Sequence, residues 1–123
     1  MPVKELKIQN FDKGLPHVPK NIGRACAILF EMIGCHWCSQ ELEVFRKLDK
    51  EIGFMPLYTF TVNASPENGA HWNKIKKSIK NGEDIQGFPV VMLYAPSGKV
   101  VVYTGFEEYE DMKQKMKDFI ENN

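Results

Sequence analysis

Two of the three cysteines stand in the run Cys35-His36-Trp37-Cys38. In a reducing compartment that spacing serves either redox chemistry or half of a metal site. A helix starts inside the run, because Cys38, Leu42, Phe45, Leu48 and Ile52 recur as one apolar stripe. Free N–H groups and the positive dipole end at a helix N-terminus stabilise a thiolate. Residues three apart are neighbours on a helical turn, so the pair can close a disulfide with little backbone movement. Cys35, at the tip, can be exposed and reads as the nucleophile. Cys38 opens the apolar stripe and reads as a buried resolving thiol.

The metal reading is the weaker one. Structural zinc takes four ligands, and the other candidates, Cys26, His17, His36 and His71, show no paired spacing. Haem attachment needs a histidine after the second cysteine, where Ser39 stands. No metal and no cofactor are expected. Cys26 lies in an apolar run and reads as a small core residue. A protonated His36 stabilises the Cys35 thiolate, favours the dithiol and makes the disulfide a stronger oxidant. Trp37 reads as exposed beside the pair, available for apolar contact with a substrate.

These groups need elements to position them. Residues 3–11 alternate loosely and suggest a short edge strand; residues 12–24 carry two prolines and two glycines and read as a loop. ACAILFEMI is a near-continuous apolar run, as expected of a central strand covered on both faces. In the helix that follows, Glu41, Glu43, Arg46, Lys47, Asp49 and Lys50 read as its solvated surface, with Gly53 as its cap. MPLYTFTV is a second strand, NASPENG punctuates the chain, and 68–81 reads as a lysine-rich helix with Lys74, Lys76, Lys77 and Lys80 in solvent. Residues 90–104 read as a β-hairpin turning at APSG. The last helix, about 107–121, has Tyr109, Met112, Met116 and Phe119 on one face. Trp72 and the Met112/Met116 pair read as packing. The β-α-β unit requires parallel strands and the hairpin adds antiparallel ones, which gives a mixed sheet.

Composition bounds the rest. A chain of 123 residues with 43% hydrophobic and 26% charged residues suits one globular domain over 1–123. Sixteen basic residues balance sixteen acidic ones, so no net field draws nucleic acid or an anionic membrane. The longest apolar runs, 25–30 and 90–95, fall far short of the roughly 18 residues of a transmembrane helix. The opening MPVKELKIQNFDK lacks a secretory signal, so a cytoplasmic location is expected.

From about residue 25 onward the chain resembles the thioredoxin family. The resemblance rests on the apolar strand before CHWC, the helix after it, Gly87-Phe88-Pro89 about fifty residues later, and the hairpin ending in Gly105. It implies the α/β thioredoxin fold, a central mixed sheet with helices on both faces. It also implies a cis Pro89 beside the cysteines, with Phe88 offering backbone hydrogen bonds to a substrate chain. The family's buried aspartate, six residues before the first cysteine, is Leu29 here, and Thr59 stands for its lysine partner. His36-Trp37 replaces the usual Gly-Pro, and Gly34 replaces a tryptophan. Glu31, at the strand parity of Leu29, is a candidate substitute for the missing acid. The Gly-Gly-Asp stretch of glutaredoxins is absent. The resemblance implies a monomeric protein disulfide oxidoreductase in cell redox homeostasis and electron transport. Its partners would be disulfide-containing protein substrates and a reductase as electron donor. The rival expectations are a binding or scaffold module with weak redox activity, and an oxidase or isomerase.

Overall fold

A strand apolar on every residue must be covered on both faces. The first five residues of CAILFE meet that requirement in strand β2 (Cys26–Glu31), which ends on the half-buried Glu31 and follows a short β1 (Lys4–Glu5). The computed structural model describes residues 3–52 and 55–123. Three more strands complete the sheet: β3 (Leu57–Thr61), β4 (Val90–Tyr94) and β5 (Val100–Thr104). Their order is β1-β3-β2-β4-β5. β2 pairs parallel with β3 and antiparallel with β4, and β5 closes the hairpin against β4.

Alternate side chains of β2 point to opposite faces. Cys26, Ile28 and Phe30 pack with Trp72 and Ile75 of helix α2 (Pro66–Ser78). Ala27 and Leu29 pack with Phe45 and Leu48 of α1 (His36–Ile52) and with Met112, Met116 and Phe119 of α3 (Tyr109–Asn122). The mixed sheet with helices on both faces is therefore present, and Trp72 and the methionine pair are core.

Some boundaries differ from the sequence reading, each for a local reason. Within 3–11 only Lys4–Glu5 joins the sheet; Ile8–Asn10 forms a 3₁₀ turn, where the Asn10 Oδ1 accepts the Lys7 N–H at 2.8 Å. Short polar side chains compete with strand ladders in this way. α2 starts at Pro66 instead of residue 68, because Ser65 accepts the Asn68 N–H at 3.0 Å and proline suits the first helical position. It stops at Ser78, and Asn81 then adopts a left-handed φ of 60°. The expected cap Gly53 and the Ile52 side chain lie outside the described residues.

One correction concerns the site itself. Glu41 is not on the solvated face of α1 but fully buried. Positions 41, 45 and 48 share a face at helical spacing, so Glu41 lies in line with Phe45 and Leu48.

Candidate active site

β2 ends at Glu31, and a tight turn leads into α1. The Cys35 N–H donates to the Met32 carbonyl at 3.3 Å, with Gly34 at φ 88° in the third turn position. That conformation selects glycine, which explains why the tryptophan of the resembled family is missing here. Asn63, just beyond β3, clamps the turn. Its Oδ1 accepts the Ile33 N–H at 2.7 Å and its Nδ2 donates to the Ile33 carbonyl at 3.3 Å. Sequence reasoning treated Asn63 only as part of a turn-rich stretch, and no periodic signal singles it out.

Cys35 immediately precedes α1 and occupies its N-cap position. The Cys38 N–H donates to the Cys35 Sγ at 3.2 Å, and the Ser39 N–H donates to the Cys35 carbonyl at 3.2 Å. Sulfur thus does here what a serine oxygen does in an ordinary cap. Cys35 and Cys38 form a disulfide with their Cα atoms 5.2 Å apart. Cys35 is half-buried and Cys38 is 2% exposed. His36 and Trp37 are both exposed, with ring centroids 5.0 Å apart. Trp37 also leans on Phe106, at 5.3 Å, from the loop between β5 and α3. Ile33 is exposed as well, so two large apolar side chains flank Cys35 in solvent.

Topology brings two further segments to the same end of the sheet. Phe30 pairs with Val90, which puts Pro89 beside the end of β2 that feeds the cysteines. Val90 pairs with Thr104, and the Gly105 N–H donates to the Pro89 carbonyl at 2.9 Å. The Phe88–Pro89 bond is cis, as the resemblance implies. Phe88 is half-buried, its ring 5.4 Å from Trp72, which in turn lies 5.0 Å from Phe30. The loop residue Phe106 escaped the sequence reading; an aromatic next to Gly105 was its only signal.

The acidic groups are distributed unexpectedly. Leu29 and Thr59 are direct register partners and both are buried, so no charge pair sits there. Glu31 is half-buried, and its Oε2 has no hydrogen-bond partner among the described residues. Burial pushes its carboxyl upward, the Glu5 charge adds to this, and Arg46 opposes it. Glu41 is the stronger case. Its Oε1 accepts the Glu107 N–H at 2.9 Å, while Oε2 is buried without a partner among the described residues. Burial pushes this carboxyl up to about 7; the Glu107 N–H bond pulls it down and the Glu107 charge raises it. Lys74, Lys77 and Lys80 are exposed and Lys76 is partly so, as a solvated helix face should be.

Cys26 lies in the core on the α2 side of the sheet, where burial pushes its thiol up to about 12. A limiting alkylating reagent applied to the native reduced protein should therefore label Cys35 and spare Cys26. Peptide mapping by mass spectrometry checks this, and label on Cys26 would contradict its burial.

No family model matches the sequence, and neither does any curated protein. Among solved structures, the fold is similar to that of a chloroplastic thioredoxin z, with a TM-score of 0.72 and 13% sequence identity. The match covers 100% of this chain and 97% of that one. The chain thus has a thioredoxin fold, with a Cys-x-x-Cys disulfide at the N-terminus of its first long helix. That combination supports a thiol oxidoreductase in general terms.

Proposed function

We propose that the protein exchanges disulfides with protein substrates, working as a reductase in a reducing compartment. The observation that carries this reading is Cys35 at the helix cap, its sulfur already accepting the Cys38 N–H. The same N–H and the helix dipole stabilise a thiolate there. The Cys35 thiolate attacks a substrate disulfide and releases one substrate thiolate, leaving a mixed disulfide. Cys38 then attacks the Cys35 sulfur, re-forming the observed pair and releasing the second substrate thiolate. Phe88 and Pro89 align the substrate backbone at the sheet end, and Ile33, Trp37 and Phe106 give its side chains an apolar rest. A reductase returns the electrons, and the protein works as a monomer.

His36 favours a second reading. It is the first residue of α1 and is exposed beside the nucleophile. An imidazolium there favours the dithiol and tilts the pair toward oxidation or isomerisation. The equilibrium potential of the 35–38 pair against glutathione tests both. A value near about −270 mV supports a reductase, and one of about −120 to −180 mV an oxidase or isomerase. His36→Ala should make the potential more negative by no more than about 30 mV, since a solvent-facing charge is screened. An unchanged potential would make His36 a bystander. A pair that does not exchange with glutathione at all would leave only a binding module.

A further inference from the structure

Glu41 is a buried acid in an apolar stripe, a costly placement unless the group is neutral or used. We propose that Glu41 takes up the proton that leaves Cys38 when the resolving thiol attacks, an assignment that rests on the oxidoreductase reading above. Cys38 and Glu41 are three apart on one helix, both essentially without solvent exposure. Such pairs are neighbours, and helical side chains lean toward the N-terminus, so the Glu41 side chain lies over the turn that carries Cys38. Two contacts fix it at that level. Trp37, one turn before Glu41, packs on Phe106, and the next residue, Glu107, donates its N–H to Glu41 Oε1. The second oxygen is left buried and unpartnered among the described residues.

The surroundings keep that oxygen responsive to Cys38. From the β5–α3 loop the charged neighbour is Glu107, whose own carboxylate is held by Lys115 of α3 at 3.3 Å. The sheet face under α1, with Ala27, Leu29 and Val91, is apolar. Glu31 is a poorer candidate, because its electrostatic neighbours are Glu5 and the exposed Arg46. Held near neutrality, the Glu41 carboxyl can accept a proton and later return it.

The step balances. The Cys38 S–H bond breaks and its proton goes to Glu41 Oε2. The Cys38 electron pair forms the bond to Cys35 Sγ, the bond from Cys35 to the substrate sulfur breaks, and the departing thiolate carries that pair away. The substrate is reduced by two electrons and the 35–38 pair is oxidised.

Glu41→Gln keeps an oxygen for the Glu107 N–H, so the loop stays attached, but it cannot take a proton. Glutathione disulfide serves as the probe, with resolution of the Cys35–glutathione adduct timed by acid quench and mass spectrometry. The wild-type rate should rise with pH at or somewhat above about 7, the value of the Glu41 carboxyl while the pair is closed. Glu41→Gln should lose that rise and be roughly tenfold slower or more at pH 8. Superimposable pH profiles would overturn the proposal and leave Glu41 as a tether for the loop. A second measurement needs no variant: infrared difference spectra follow the protonated Glu41 carboxyl in the wild type. Its midpoint should move upward on reduction, when Cys38 begins to ionise against it; the same midpoint in both redox states would also overturn the proposal. If no adduct forms at Cys35, the oxidoreductase reading fails, while the infrared titration still decides the coupling of Glu41 to Cys38.

Discussion

Cys38→Ser should hold its substrates covalently. Its Cys35 still attacks, but no second thiol releases the adduct, so mixed disulfides accumulate on non-reducing gels and disappear on reduction. Cys35→Ser should trap none, because Cys38 is 2% exposed and cannot reach an incoming disulfide. Turnover should fall by about a thousandfold or more in both variants, since each removes one of two groups that act as a unit. Equal trapping by the two would mean that the roles are reversed or that α1 opens far enough to free Cys38. The asymmetry is the informative quantity, and it depends on the cap geometry at Cys35.

The second large effect concerns stability. The Glu41 carboxyl is held at about 7 in the folded protein against an ordinary value of 4.5, and burial is the main cause. Its folded value is raised, so its contribution is fully present below about pH 4.5. It is lost as pH rises from there to about 7, because the unfolded carboxyl ionises freely while the buried one still holds its proton. Converted at about 1.4 kcal/mol per pH unit, the effect is of the order of 3 kcal/mol. Urea unfolding of oxidised wild type and Glu41→Gln at pH 4 and pH 8 isolates it. The difference between the two proteins should swing by that amount in favour of the variant at the higher pH. Titration of His17 and His71 cancels in the difference. Parallel stability curves would show that the Glu41 carboxyl titrates alike in the folded and unfolded chains, and so that its burial does not raise it.

The same residue marks where sequence reasoning stops. Strands β2 and β4 were legible because long apolar runs need two covered faces, and the hairpin because APSG interrupts two such runs. Cys38, Phe45 and Leu48 revealed the inward face of α1 by their spacing. A polarity pattern counts a glutamate as outward, so Glu41 was hidden within that very stripe. Its burial depends on a partner 66 residues away, the Glu107 N–H, which no local window contains. Asn63 was hidden for the same reason: its clamp on Ile33 spans 30 residues. The cysteine pair and Pro89 were legible because their types are rare and their spacing is chemical. What positions them is tertiary, and so it surfaced only in three dimensions.

The disulfide joins residues only three apart in sequence. A cross-link stabilises a fold mainly by shrinking the conformational freedom of the unfolded chain, and that effect grows with the size of the ring it closes. A ring this small removes about 2 kcal/mol of loop entropy, against nearly 5 for a ring of a hundred residues. Both cysteines lie outside the sheet and outside the two apolar clusters, so the ring ties none of these together. If the pair cycles as proposed, the scaffold need not be partly unmade in each oxidation, because what holds the fold and what would exchange electrons lie in separate parts of the chain.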